Sequence, residues 1–262
     1  MLRPRIIPCL LVHDKGLVKT VRFSSPKYVG DPVNAVKIFN EKEVDELIVL
    51  DIDATANGAE PNYVMIRNLA AECRMPLCYG GGVRSVEQAV RIIKLGVEKI
   101  AVSAGAVEEP RLVSRIAEYV GRQSVVVVLD VRRDPKTGAY EVWTHNSTKN
   151  SHRDPAELAA EVEALGAGEI TVNSIDRDGV MEGYDIALAR HVREAVSVPM
   201  TVLGGAGSLK DLELLVKELG ILGVAAGSLF VFKGVYKAVL INYPSRAQKN
   251  VINAGACPER GK

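Results

Sequence analysis

The sequence predicts a single α/β domain, a (β/α)8 (TIM) barrel built from two like half-barrels. Short apolar runs alternate with amphipathic stretches, as this fold requires over about 250 residues. Two glycine-rich segments, Met75–Ser85 and Val198–Ser208, repeat one design 123 residues apart, and Glu46–Asp53 and Glu169–Asp176 keep the same step. An open doubly wound sheet is the alternative. The repeat favours the barrel, because two like halves close a ring and no linker divides them.

The strands are predicted from eight apolar runs that are mostly rich in β-branched residues. These runs do not alternate apolar and polar residues, which is typical of strands buried on both faces of a parallel sheet. They are Ile6–Val12, Leu47–Ile52, Pro76–Tyr79, Lys99–Ser103, Val125–Val131, Ile170–Ile175, Met200–Leu203 and Gly223–Ala226.

Helices are predicted between the strands from their start and stop signals. Polar N-caps followed by proline, or by Gln or Glu near the third helical position, mark the starts, and glycines mark the ends. The starts are Asp31 with Pro32, Ser85 with Gln88, Asp154 with Pro155 and Glu157, and Ser208; the ends are Gly96, Gly166 and Gly220.

Two strand-to-helix loops are longer than this fold usually needs. His13–Gly30 follows the first strand, and Arg132–Arg153 follows the fifth, where Tyr140–Thr144 is expected to form a small hairpin. Both leave the carboxyl ends of strands, where barrel enzymes keep their chemistry. We assign residues 1–241 to the barrel and residues 242–262 to a polar tail that is expected to be partly disordered.

Composition excludes several classes of partner. A net charge of +1 gives no electrostatic case for nucleic acid or a membrane surface. The chain has no apolar run of about 18 residues that could span a bilayer. Cysteines 9, 73, 78 and 257 lack disulfide or metal-ligand spacing, so we expect reduced thiols in a cytoplasmic protein. No metal or cofactor is predicted.

The glycine turns predict two phosphate sites, because bare backbone N–H groups at a helix start suit an anion. Two such sites at one end of the barrel indicate a ligand with a phosphate at each end, although glycines also simply permit tight turns. The first half offers Gly81, Gly82, Ser103 and Ala104, and the second half offers Gly204, Gly205, Gly227 and Ser228.

Acidic residues at strand ends are the candidates for proton transfer. Asp51 ends the second strand, Asp130 the fifth, and Asp176 and Asp178 the sixth. Each is a candidate general acid or base, or else a cap of a loop or helix. When the two halves are aligned, Leu11 stands where Asp130 stands, so one carboxyl group of a facing pair is missing.

Several motifs together resemble the HisF family, the cyclase subunits of imidazole glycerol phosphate synthase, over about residues 1–235. They are RIIPCL, VKT, YVGDP, DELIVLDI, GGGVRS, LGVEKI, VLD, LGAGEI, SIDRDG, GYD and GGAG. The resemblance implies a two-half barrel with two phosphate sites. It also implies a HisH-like glutaminase at the opposite face, whose ammonia passes through the barrel.

Within this resemblance the catalytic end departs from the family pattern. The two catalytic aspartates of the family fall on Leu11 and Asp130, while its loop lysine is kept as Lys19. Loss of a positioned acid or base costs about 10²–10⁴ in rate, which argues against an unchanged cyclase. The family's Asn, Thr and Ser at three further positions are Ser103, Asn173 and Leu203, and the implied substrate contacts are Asp51, Asn173 and Asp178.

The starts of the strands keep the family's charges. Arg5, Glu46, Lys99 and Glu169 match the ring through which ammonia enters in that family. The alternative is that they are ordinary paired or solvated charges at the barrel floor. An intact ammonia entrance below an altered catalytic end is the pattern on which the functional hypotheses depend.

Three hypotheses follow. The stretches LLVHDKGLVKTVRF and CYGGGVRS resemble the glycan-amidation-associated (WbuZ-type) branch of the family. This implies a barrel that routes ammonia for acetamidino formation on an N-acetylated sugar of O-antigen or another glycan, together with an ATP-dependent sugar amidotransferase. The second hypothesis is a cyclase that converts PRFAR and ammonia to imidazole glycerol phosphate and AICAR in histidine biosynthesis. The third is a non-catalytic scaffold, so catalysis by this chain itself stays open. An isomerase of the sister barrel family is less favoured, because it too needs an acid at Leu11.

Overall fold

The computed structural model of the protein describes residues 3–255. The strands are β1 (Arg5–His13), β2 (Gly16–Val21), β3 (Ser24–Gly30), β4 (Leu47–Asp51), β5 (Leu77–Gly80), β6 (Lys99–Val102), β7 (Val125–Arg133), β8 (Tyr140–Thr144), β9 (Lys149–Asn150), β10 (Glu169–Ser174), β11 (Met200–Leu203), β12 (Gly223–Ala226), β13 (Phe232–Lys233) and β14 (Ala238–Val239). The helices are α1 (Pro32–Glu41), α2 (Ile52–Ala56), α3 (Tyr63–Glu72), α4 (Val86–Lys94), α5 (Ala104–Glu108), α6 (Arg111–Val120), α7 (Pro155–Ala164), α8 (Ile186–Arg193), α9 (Leu209–Leu219), α10 (Ser228–Val231) and α11 (Arg246–Ala254).

The barrel is closed, which confirms the predicted fold. Parallel pairing runs β1–β4–β5–β6–β7–β10–β11–β12, and β12 pairs back onto β1 with Arg5 opposite Gly223. An open sheet would leave those two edges unpaired, so the doubly wound alternative is wrong. Each of the eight predicted apolar runs supplies one barrel strand.

The core has two layers. Inside the barrel, small and medium apolar side chains pack against one another, among them Ile7, Cys78, Ala101 and Val128. A larger apolar layer fills the space between the strands and the surrounding helices. Cysteines 9, 73 and 78 are free thiols as expected, whereas Cys257 lies outside the described residues.

The long segment after the first strand is a β-hairpin rather than the expected loop. β2 continues antiparallel to β1, and β3 pairs with β2. Asp14 and Lys15 both have positive φ between these strands, as a tight two-residue hairpin turn requires. After the fifth strand, β8 pairs antiparallel with β7, as predicted for Tyr140–Thr144.

The predicted helix starts are confirmed where their caps can be seen. The Asp31 carboxylate accepts from the Asn34 amide, and Ser85 Oγ accepts from the Gln88 amide at 3.2 Å. These caps satisfy N–H groups that have no partner within the helix. Within the described part of the chain, no helix has the length and apolar character needed to cross a membrane.

The segment assigned to a polar tail contains helix α11, packed against α9. Ser245 and Gln248 form a capping box, a start signal that the sequence analysis did not use. Ile252 is fully buried, and the Tyr243 hydroxyl donates to the Ile6 carbonyl at 2.7 Å. Residues 242–255 are therefore attached to the barrel. The predicted disorder at the very end falls on residues 256–262, which lie outside the described residues.

Candidate active site and charged ring

The carboxyl ends of the strands surround a cavity of about 440 Å³, the mouth cavity. Apart from Asp176, every residue predicted for catalysis, phosphate binding or substrate contact lines it. They are Leu11, Lys19, Asp51, Gly81, Gly82, Ser103, Ala104, Asp130, Asn173, Asp178, Gly204, Gly205, Gly227 and Ser228. The fold brings together residues from both halves; the roles assigned to them stay predictions.

Close backbone approach explains the glycines of the two turns. A Cβ on Gly81 would lie 2.4 Å from the Asp51 carbonyl oxygen, and one on Gly205 would lie 2.2 Å from that of Gly183. Both glycines have positive φ, +121° and +112°. Tight turning thus requires glycine here whatever the ligand. The same turns leave the two ends of the mouth cavity lined by backbone.

Asp130 is held by two of the residues that depart from the family pattern. Asn173 Nδ2 donates to Asp130 Oδ1 at 2.9 Å, and Ser103 Oγ lies 3.5 Å from Oδ2. Burial raises the pKa of Asp130 to about 6, with Asp178 adding to the rise and the two hydrogen bonds opposing it. Asp130 is therefore mainly ionised at neutral pH and has a pKa suited to accepting a proton.

Leu11 contributes an apolar wall to the same cavity. It lies beside Leu50 in the β1–β4 pairing, and both side chains pack against the apolar interior of the barrel. Leu203, another departure from the family pattern, belongs to that interior cluster and also lines the cavity. Hydrocarbon therefore occupies the position at which the sequence resemblance predicts a second acid.

Lys19 extends from β2 into the cavity wall. Its Nζ donates to the Cys9 carbonyl at 2.5 Å and lies beside Gly227, where a Cβ would be 2.5 Å away. Burial lowers the pKa of Lys19, while the Cys9 thiol and Asp178 oppose the decrease. The second-half phosphate candidates therefore have the Lys19 amino group next to them.

Of the other acids at strand ends, Asp51 and Asp178 line the cavity and also make structural contacts, whereas Asp176 makes a structural contact outside it. Asp51 caps α2 and also lines the cavity, where burial raises its pKa. Asp178 Oδ2 accepts from Thr20 Oγ1 at 2.7 Å and from the Phe23 amide at 3.3 Å, which fastens the β2–β3 hairpin over the cavity. Asp176 accepts from the Arg133 amide instead, as the loop-capping interpretation predicts.

At the opposite end of the barrel, Arg5, Glu46, Lys99 and Glu169 form the charged ring. Lys99 Nζ lies 2.9 Å from both Glu46 Oε1 and Glu169 Oε2. Arg5 pairs with Glu46 and, at 2.8 Å, with Glu169. Each cation thus contacts both carboxylates, and the alternating charges close the floor.

The ring carboxylates are almost fully buried, at 3% and 5% exposure for Glu46 and Glu169. Burial alone would raise the pKa of Glu169, but Arg5 and Lys99 lower it overall. Thr201, fully buried, also donates to Glu169 Oε1 at 2.6 Å. The sequence analysis missed this hydroxyl, because a Thr within an apolar strand gives no signal of its partner.

Comparison with known proteins decides the family. The family described as "Histidine biosynthesis protein" matches residues 5–237. A Leptospira interrogans protein provisionally named imidazole glycerol phosphate synthase subunit HisF is 58% identical over 252 residues, 96% of this chain and 99% of that protein. The chain belongs to the HisF family.

Two further HisF-named relatives extend this similarity to other organisms. A Pseudomonas aeruginosa protein, provisionally named subunit hisF2, is 52% identical over 93% of this chain and 97% of its own length. The imidazole glycerol phosphate synthase subunit HisF of Hyphomonas neptunium is 43% identical over 88% and 91%.

Within this HisF-family barrel, the mouth cavity has further lining residues that the sequence analysis missed. Thr20 and Phe23 reach it because their segment folds as a hairpin, and Arg84 follows the first glycine turn. His145 and Asn146 reach it from the turn between β8 and β9. The available sequence signal for His145 and Asn146 was the length of the segment after the fifth strand. That length does not specify which side chains face the mouth cavity.

Proposed function

We propose that this chain is a HisF-like synthase subunit that receives ammonia from a HisH-like glutaminase through the barrel, and that the ammonia serves amidation of an N-acetylated sugar. The product would be an acetamidino group in O-antigen or related glycan biosynthesis. An ATP-dependent sugar amidotransferase would activate the acceptor. The two glycine turns would hold phosphate groups of a small-molecule ligand.

One observation carries this proposal: a complete charged ring lies below a cavity in which Leu11 replaces an acid. A polar, paired floor suits entry of a small dipolar molecule, and the apolar interior above it would favour neutral ammonia over ammonium. Closure of an imidazole ring by two carboxyl groups, one donating a proton and the other accepting one, would lack the second carboxyl group here.

The other departures from the family support altered chemistry. Ser103 and Asn173 both contact Asp130, and Leu203 lies opposite Asn173 in the β10–β11 pairing. The changes are therefore grouped around the remaining acid. A mouth whose remaining acid has different contacts from those the family pattern predicts fits a changed acceptor better than an unchanged one.

The second candidate is a histidine-pathway cyclase that works with Asp130 as its main acid–base group. The pKa of Asp130, raised by burial to about 6, favours this alternative, and so do the names of the relatives. A scaffold without transfer activity is the third candidate.

Cyclase turnover of PRFAR with ammonium salt separates the first two candidates. We expect turnover at least about 100-fold below that of the Hyphomonas neptunium HisF subunit measured in parallel, because a positioned acid is missing. Comparable turnover would rule out the amidation proposal in favour of the cyclase.

Glutamine-dependent transfer tests the routing itself. The protein is mixed with a HisH-like glutaminase and an ATP-dependent sugar amidotransferase, and amidated sugar is measured by mass spectrometry with ¹⁵N-amide glutamine. We expect ¹⁵N in the product even when unlabelled ammonium is in excess. Complete dilution of the label would show that ammonia is not channelled, and an absence of transfer would favour the scaffold.

A further inference from the structure

The turn between β8 and β9 brings a histidine to the mouth cavity. His145 lines this cavity, and neither the family pattern above nor the acid–base reasoning uses it. Its Nδ1 lies 3.0 Å from the buried Thr144 hydroxyl. Within residues 3–255 its Nε2 has no hydrogen-bond partner.

The turn holds His145 in a backbone conformation that side chains rarely adopt. His145, Asn146 and Ser147 have φ of 53°, 53° and 64°, and none is glycine. Left-handed residues cost about 1–2 kcal/mol each, so the surrounding contacts must offset this strain. Thr148 Oγ1 donates to the His145 carbonyl at 2.6 Å as one such contact. Strain of this kind is concentrated at functional sites.

Two contacts fix where the turn lies across the mouth. Asn146 Nδ2 donates to the Ile52 carbonyl at 2.7 Å, at the start of α2 after β4. Lys149 Nζ lies 2.6 Å from Glu108 Oε1, at the end of α5 after β6. β5 lies between β4 and β6 in the barrel. The turn therefore spans the glycine turn that follows β5, which carries Gly81 and Gly82.

The two halves of the barrel then have matching arrangements. The hairpin after β1 brings Lys19 beside Gly227, among the second-half phosphate candidates. The hairpin after β7 leads into the turn that carries His145, and Asn146 and Lys149 attach this turn to the segments after β4 and β6, on either side of the first glycine turn. Each half thus supplies one nitrogen donor to the glycine-lined site of the other half. This correspondence gives His145 the position of a ligand contact rather than of a structural group.

The other titratable side chains on the first-half side of the cavity already have partners. Arg84 Nη2 donates to the Gly58 carbonyl at 2.9 Å, Asp51 caps α2, and Glu108 is paired with Lys149. When Thr144 Oγ1 donates to His145 Nδ1, the neutral imidazole carries its proton on Nε2, the ring nitrogen that has no partner within residues 3–255. A donor beside glycine amides and Arg84 suits an anion.

We propose that His145 is a binding residue that donates to a phosphoryl group held at Gly81, Gly82, Ser103 and Ala104. The ligand class is a phosphorylated small molecule whose other end reaches the second-half site. This inference rests on the phosphate-binding part of the proposed function and is independent of ammonia routing and of the identity of the acceptor.

The test is an NMR titration of the full chain with inorganic phosphate. The protein has four histidines, so ¹³C-labelled imidazole signals are readily assigned, and the Ala104 and Ser228 amides report the two sites separately. We expect saturable shifts of the His145 and Ala104 signals. In the His145→Asn variant, the affinity reported by Ala104 should decrease about tenfold, the loss of one hydrogen bond to a charged group. The affinity reported by Ser228 should stay unchanged.

His152→Asn is the matched control, because His152 lies in the same segment with its side chain 79% exposed. It should leave both affinities unchanged. Asparagine tolerates positive φ, so His145→Asn should keep the turn, which the amide spectrum checks directly. An unshifted His145 signal at phosphate saturation of Ala104, an equal Ala104 affinity in the variant, or no response of Ala104 at all would each overturn the inference. None of these results would touch ammonia transfer, which the ¹⁵N-glutamine experiment measures separately.

Discussion

The two ends of this barrel use their charges in opposite ways. At the floor, the two cations of the charged ring each contact both carboxylates, so the charges neutralise one another. At the mouth, Asp130 has only neutral hydrogen-bond donors, and Lys19 has a carbonyl partner. Within residues 3–255, the charges of the floor are therefore fully paired with one another. The mouth keeps charge that a ligand can still neutralise.

Breaking the floor should have the largest effect on stability. Glu169→Gln leaves Arg5 and Lys99 facing one carboxylate in a buried setting, so we expect a loss of about 3–5 kcal/mol in the free energy of unfolding. Urea unfolding measures it. Glu108→Gln removes an exposed partner of Lys149 and should cost under about 1 kcal/mol. Equal costs for the two variants would mean that the ring is not a buried network.

Restoring an acid at the mouth should change activity rather than stability alone. Leu11→Asp places a second carboxyl group in the mouth cavity with Asp130, and we expect cyclase turnover of PRFAR with ammonium to rise by about 10². Leu11→Asn, which is similar in size but cannot transfer a proton in this way, should give no rise. If both variants remain at the parent level, Leu11 is not what limits cyclase chemistry.

The pH dependence of stability should report the unneutralised charge at the mouth. Burial raises the pKa of Asp130 to about 6, so the folded protein favours the protonated side chain. The resulting stabilisation is fully present below the pKa of the unfolded chain and is lost as pH rises through 6. For a fully buried carboxyl group, this pKa shift would change the free energy of unfolding by about 3 kcal/mol. The Asp130 carboxylate faces an open cavity, so we expect a change of about 1–2 kcal/mol.

Asp130→Asn should therefore be more stable than the parent at pH 8 and should lose that advantage near pH 4. Urea midpoints across this range measure the difference between the two proteins. Asp176→Asn is the control, because Asp176 binds the Arg133 amide outside the cavity. A constant difference between Asp130→Asn and the parent at all pH values would show that the Asp130 pKa is not raised.

The smallest effect should come from the hairpin over the mouth. Thr20→Val removes the hydroxyl donor to Asp178, so we expect a loss of about 1 kcal/mol, confined to local opening of β2 and β3. Amide hydrogen exchange should be faster in these strands and unchanged in β10. Uniformly faster exchange would instead indicate global destabilisation.

Sequence reasoning predicted the barrel because its evidence is local and repeated. Each apolar run predicts its own strand, and each cap, such as Asp31 with Pro32, predicts the start of its own helix. The repeat of 123 residues predicts that the strands close into a barrel. The cavity residues were found for the same reason, because strand ends such as Asp130 must meet at one rim. Leu11 could be singled out only because the two halves can be compared with each other.

What sequence reasoning missed depends on contacts between distant segments. Thr201 donates to Glu169 of the ring only because β10 and β11 pair, and His145 reaches the mouth only through a left-handed turn without glycine. The hairpin after β1 was missed because Asp14 and Lys15 adopt positive φ without the usual Asn-Gly signature. Helix α11 was missed because its apolar face is narrow, with Ile252 as its buried residue.

The attachment of the last helix bears on how the chain can be shortened. Tyr243 donates to the Ile6 carbonyl and accepts from the Asp45 amide, and Lys249 pairs with Asp45 at 2.9 Å. Asp45 immediately precedes Glu46 of the ring. A stop codon after Ile241 would therefore remove the contacts that hold the start of β1 and the residue just before Glu46 to the C-terminal segment.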